Sequence, residues 1–157
     1  TLEGRSRYGV TRWDLDWSVR VRRGGLAGCT VEKAHVRSEI VVRLPRWRPP
    51  PEADPGLVAD WRDFLRALRA HERGHRDRIL VGAEALRRAL EDLRGPTCPA
   101  LHGRAREVAR EQLDAVDRAN RSYDRATRGG ATQGAVWPPG GEEPRAPSPR
   151  SRSAAGA

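Results

Sequence analysis

Hydrophobic and polar residues alternate from residue 12 to residue 23. Trp13, Leu15, Trp17, Val19 and Val21 fall on one face, with Arg12, Asp14, Asp16, Ser18, Arg20 and Arg22 on the other. A period of two predicts a half-buried strand, because successive side chains leave opposite sides of an extended backbone. Gly24-Gly25 interrupts the pattern, and a second alternating run extends from about Thr30 to Leu44. Ala34, Val36, Ile40, Val42 and Leu44 share one of its faces, opposite Lys33, His35, Arg37, Glu39 and Arg43. Two such runs joined by a glycine-rich loop predict an antiparallel hairpin, with an N-terminal partner strand missing.

Pro49-Pro50-Pro51 ends the strand region, and Asp54-Pro55 has the form of a helix start, with Asp54 as N-cap and Pro55 in the first turn. From Leu57 to Leu93 the spacing changes to threes and fours, through Trp61, Phe64, Leu65, Leu68, Ile79, Ala83, Leu86 and Leu90. That period predicts one long amphipathic helix. Gly95-Pro96 stops it. A second helix is expected from near Pro99 to about Thr127, its inward stripe formed by Leu101, Ala105, Val108, Gln112, Val116, Ala119 and Tyr123, and Gly129-Gly130 closes it. The last twenty residues hold five prolines and almost nothing apolar, so residues 138–157 are expected to be a disordered Pro/Gly/Ser/Arg tail. Residues 1–137 then form one α+β domain, an antiparallel β-hairpin packed beside a long antiparallel helix pair.

Composition narrows the function. A length of 157 residues suits one domain. With one phenylalanine and two tyrosines, the five tryptophans must supply much of the bulky packing. Trp13, Trp17, Trp47 and Trp61 suggest a single aromatic cluster. The net charge is +9, but acidic residues are interleaved with the basic ones, and of 30 basic residues only Lys33 is lysine. That pattern reflects GC-rich codon usage and a solvated surface, so no nucleic-acid partner is expected. No apolar run approaches the ~20 residues needed to span a bilayer. Cys29 and Cys98 lie beside glycine or proline in expected loops, which favours one disulfide and an oxidising compartment. No methionine occurs, and a signal segment or anchor removed ahead of Thr1 is the expectation. The reading is a protein secreted, or held in the periplasm or cell envelope.

The chemistry concentrates at His71-Glu72-Arg73-Gly74-His75. Histidines four apart lie one turn apart on one helix face, where both imidazoles can reach a single metal ion. Glu72, beside the first, can act as general base toward a water activated by Zn²⁺, passing the proton to a leaving amine. His71 and His75 continue the apolar stripe of Leu68 and Ile79, so they point inward and require partners. The competing reading is structural: histidines and Glu72 hydrogen-bonded within a core. Gly74 weakens a helix interior by about 1 kcal/mol relative to alanine, which a close approach by another segment would explain; chance is the alternative. His35 and His102 read as surface histidines.

Three separated motifs carry a resemblance. Tyr8-Gly-Val-Thr-Arg-Trp13-Asp-Leu, the His71–His75 helix, and Tyr123-Asp124-Arg-Ala-Thr127 followed by Gly130-Ala-Thr-Gln133-Gly134 together resemble the DUF922 family of predicted secreted bacterial zinc-dependent proteases. The resemblance spans roughly residues 8 to 137. It implies one zinc ion per chain, export, and peptidase activity on a peptide or protein substrate. One departure is Gly129, where the family usually has histidine. It motivates an alternative, a catalytically inactive relative acting as a binding module in the cell envelope.

Asp124 is the expected third zinc ligand. Reflection of the helix pair about Pro96 sets residues 117 to 121 opposite the histidines. Within a turn of that range the acidic candidates are Asp114, Asp117 and Asp124, and only Asp124 belongs to the motif. A His-His-Asp set leaves a fourth position for water. An ion pair of Asp124 with Arg128 is the alternative. Tyr123 is either a hydrogen-bond donor to a developing oxyanion or a core aromatic.

Overall fold

The computed structural model describes residues 2–5, 8–24 and 28–139. Four strands form one antiparallel sheet in sequence order: β1 (Leu2–Arg5), β2 (Val10–Arg23), β3 (Cys29–Arg43) and β4 (Arg94–Gly95). Helices α1 (Pro55–Glu91) and α2 (Cys98–Thr127) follow the hairpin, and a 3-10 turn at Ala131–Gln133 follows α2. The α+β architecture is as expected. Two strands were not: the N-terminal partner lies within the chain as β1, with Leu2 opposite Trp13, and the bend between the helices is itself a short strand. The tail from residue 140 lies outside the described residues.

The alternation in β2 holds, with Trp13 and Leu15 buried and Asp14, Asp16 and Ser18 exposed. Extending it one step back buries Thr11 as well. In β3 the inward phase changes. Arg20 faces Lys33 while Val21 faces Val31, so Glu32 is an extra residue in a bulge. Beyond the bulge Ala34 faces inward; before it, Val31 and Cys29 do. A bulge shifts the side-chain phase by one residue, and here it turns Cys29 toward the core. Cys29 and Cys98 form the expected disulfide, with Cα atoms 5.1 Å apart. Neither sits in a loop: Cys29 opens β3 and Cys98 opens α2.

Asp54 caps α1 by accepting from the Leu57 N–H at 2.9 Å, and Thr97 caps α2 by accepting from Ala100 at 3.2 Å. Both helices pack on one face of the sheet. Leu86, Leu90, Leu101, Ala105 and Val108 meet Cys29, Val31 and Ala34 at one end, and Ile79, Ala83 and Val116 meet Trp13 and Leu15 in the middle. The third cluster is aromatic, with Trp61, Phe64 and Trp137 in mutual contact and Trp47 and Tyr8 at its edge. Trp13 and Trp17 are not part of it. Their strand positions place them under the helices, so the single tryptophan cluster expected from sequence is divided.

Two glycines bring the helices together. A Cβ on Gly74 would lie 2.1 Å from the Tyr123 hydroxyl, and one on Gly82 would lie 2.1 Å from a Val116 methyl. Gly74 is therefore a close approach. The facing pairs Gly74/Tyr123 and Gly82/Val116 share a midpoint near residue 99, later than Pro96. The extended β4 segment lengthens the bend, so the partners of His71 and His75 lie nearer the end of α2 than reflection about Pro96 suggested. It also turns Asn120 inward and leaves Ala119 exposed.

Candidate metal centre

His71, Glu72 and His75 occupy the middle of α1 and are all but inaccessible, at 0%, 1% and 1% exposure. Burying this much polar surface costs free energy unless each polar atom has a partner, and the partners are specific. The Nδ1 of His75 lies 2.8 Å from Asn120 Oδ1, and the Asn120 amide donates to the Val116 carbonyl at 2.9 Å. Spending the amide hydrogens on Val116 leaves Asn120 Oδ1 as an acceptor, so His75 carries its proton on Nδ1. The Nδ1 of His71 lies 2.9 Å from Gln133 Oε1, with Thr127 Oγ1 at 3.4 Å. Gln133 in turn donates to the Tyr123 hydroxyl at 3.1 Å, and that hydroxyl donates to the His71 carbonyl at 3.3 Å. One proton arrangement satisfies the whole network.

Each imidazole then turns an Nε2 lone pair toward the other. The two Nε2 atoms are 3.2 Å apart, and Asp124 Oδ1 lies 2.9 Å from that of His75 and 3.3 Å from that of His71. Three acceptors converging on one point repel one another unless a proton or a metal ion joins them. Donor atoms at zinc bond lengths of 2.0–2.2 Å in a tetrahedron are about 3.3–3.6 Å apart, close to the spacing here. The residues present thus fit a metal ion, with Nδ1–H bonds that orient both rings from behind. Burial pulls the His75 pKa down, but hydrogen bonds to Asp124 and Asn120 and the charges of Asp124 and Glu72 outweigh it, and the net shift is upward. For Asp124 burial pushes upward, yet the two histidines hold the carboxyl at about 2.

Asp124 lies beside both histidines and makes no pair with Arg128 among the described residues. Asp117 pairs instead with Arg121 on the helix surface, and Asp114 is exposed. Neither His35 nor His102 enters the cluster. Tyr123 stacks on His71 with ring centroids 5.0 Å apart, has the Arg78 guanidinium over its ring, and spends its hydroxyl on His71 and Gln133. Glu72 points toward the sheet, where Thr11 Oγ1 donates to its Oε2 at 2.5 Å.

Sequence reasoning assigned no role to Thr11, Asn120 or Gln133. The first two had a legible signal. Thr11 continues the inward face of β2 by one step, and Asn120 precedes Asp124 by one helical turn.

A family model described as "Bacterial protein of unknown function (DUF922)" matches residues 1–130. The chain belongs to this family. The DUF922 match covers Thr11, the three putting donor atoms on the centre, and Asn120, and it ends three residues before Gln133. Its description assigns no activity. No curated protein and no solved structure matches the chain.

Proposed function

We propose that the protein is a zinc-dependent peptidase acting outside the cytoplasm. The observation that carries this reading is the convergence of His71 Nε2, His75 Nε2 and Asp124 Oδ1 to within 3.3 Å of one another, with both Nδ1 atoms engaged elsewhere. Imidazole and carboxylate donors suit zinc. When bound, the ion supplies Lewis acidity toward a carbonyl oxygen and acidifies water.

The chain's own residues would do the rest. His71, His75 and Asp124 hold the ion; Asn120 and Gln133 fix the imidazole tautomers. Glu72 is the proton acceptor and later the donor to a leaving amine, with Thr11 orienting its carboxylate. Tyr123, whose hydroxyl is already committed, serves to position His71 rather than to bind an oxyanion. The disulfide supports an oxidising compartment, compatible with secretion or the periplasm.

A second reading, an inactive relative that binds without cleaving, is favoured by the burial of Glu72 beneath Thr11. One experiment separates them. Purified protein should contain one zinc per chain and cleave an unfolded protein substrate, and Glu72→Gln should keep the zinc while losing cleavage by at least about 100-fold. Zinc without any cleavage that Glu72→Gln removes would leave the binding module; iron in place of zinc would overturn the peptidase.

A further inference from the structure

The outer face of the sheet, which neither helix covers, carries a concentration of cations at the end farthest from the metal centre. Arg20, Arg22, Lys33 and Arg94 are all exposed there. Arg20 stands directly opposite Lys33, Arg22 opposite Thr30, and Thr30 opposite Arg94 on the next strand. Like charges facing each other across an antiparallel pair are destabilising. Among the described residues none of the four has an acidic partner; Arg94 donates only to the Glu91 and Leu93 carbonyls, at 3.1 and 2.9 Å. Glu32, in the bulge beside Lys33, pairs with none of them. The helices behave differently: Arg66, Arg87, Arg88, Arg104 and Arg121 each bond a carboxylate within one turn.

The other end of the face is balanced instead: there Asp14, Asp16 and Glu39 are interleaved with Arg12, Arg37 and Arg43, and Asp16 is opposite Arg37. The Cys29–Cys98 bridge ties this end of the sheet to the helices, joining the residue next to Thr30 to the start of α2.

We propose that this cluster docks the protein on a bilayer surface carrying anionic phosphate headgroups. The site is an open sheet face of four cations, which complements a plane of phosphates. On the proposed location outside the cytoplasm, with which the disulfide is compatible, the anionic surface at hand is a bilayer. Each Lys or Arg near an anionic bilayer strengthens binding about fivefold, so this group suffices for reversible attachment. Leu90 packs beside Cys29 at this end of the core, and at 1.5 Å per residue His71 lies roughly 28 Å further along α1. The metal centre is thus well separated along the molecule from the attachment point.

The test is sedimentation of the full chain with phosphatidylglycerol/phosphatidylcholine vesicles and with phosphatidylcholine alone. Binding should require phosphatidylglycerol and weaken with added salt. Arg20→Gln/Arg22→Gln/Lys33→Gln should weaken it on the order of 100-fold and Lys33→Gln alone about fivefold, both with unchanged zinc content. The charge-matched Arg66→Gln/Arg88→Gln/Arg104→Gln should bind within about threefold of the parent. An equal loss in that control would assign the effect to net charge and overturn the proposal. So would binding indifferent to phosphatidylglycerol, or tighter binding of duplex DNA lost in the sheet-face variant.

Discussion

Asn120 Oδ1 accepts from His75 Nδ1 at 2.8 Å while its own amide is held by the Val116 carbonyl. The carboxamide cannot turn without breaking one bond or the other, so it acts as a fixed acceptor that holds the proton of the neutral ring on Nδ1 and keeps His75 Nε2 aimed at the centre. Asn120→Leu should keep the fold's packing but weaken zinc binding by about 10–100-fold, and Gln133→Leu should act similarly on His71. Competition with a chelator measures it. Unchanged affinity in both variants would mean that the rings need no support from behind.

The ligand assignment has a built-in control. Asp124 contacts both Nε2 atoms, whereas Asp117, two turns earlier on α2, pairs with Arg121. Asp124→Ala should reduce zinc content to the level of His71→Ala, and Asp117→Ala should leave it intact. Loss of zinc in the Asp117 variant would move the third ligand.

Gly74 yields a prediction of sign. In an ordinary helix interior Gly→Ala stabilises by about 1 kcal/mol. Here the added methyl would meet the Tyr123 hydroxyl and ring, a rigid group stacked on His71. Gly74→Ala should lower the melting temperature and weaken zinc binding. In a Tyr123→Ala background the same change should raise the melting temperature. A destabilisation of equal size in both backgrounds would show that Tyr123 is not the obstacle.

Proton and metal compete for the same point. The raised His75 pKa means that its contribution to metal-free stability is full below its unfolded value of 6.5 and is lost as pH rises through the folded pKa. Asp124 has the opposite sign: its contribution is present above 3.8 and is lost as pH falls through about 2. Between about 4 and 6.5 the protonated His75–Asp124 pair therefore supports the metal-free fold. The rise in melting temperature on adding zinc should be small at pH 5 and grow toward pH 8, with proton release on binding. A pH-independent rise would exclude His75 as a ligand.

The Cys29–Cys98 bridge closes a separation of 69 residues, worth about 4 kcal/mol in the chain-entropy account. Reduction, or Cys29→Ser with Cys98→Ser, should lower the unfolding free energy by that order in denaturant titration while zinc content is retained, since the bridge and the centre lie at opposite ends of the core. Unaltered stability after reduction would argue that the bridge does not form in solution.

Periodicity alone determined the two long strands, the two helices and the inward direction of His71 and His75, because backbone geometry converts a spacing of two or four into a shared face. The one-turn pairing of histidines was equally local. Other features depended on contacts between distant segments. Within β3 the bulge at Glu32 shows only as a change of apolar phase between Val31 and Ala34, and pairing with Arg20 and Val21 of the facing strand locates the extra residue. The β4 segment moved the facing positions of the helices by about a turn and a half, and that register decided that Asn120 and Asp124, not Asp117, meet the histidines. Gln133 reaches His71 from a turn 62 residues away. A ligand's spacing is written along one helix, but the proton that a ligand carries is set by whichever acceptor the tertiary fold brings behind it.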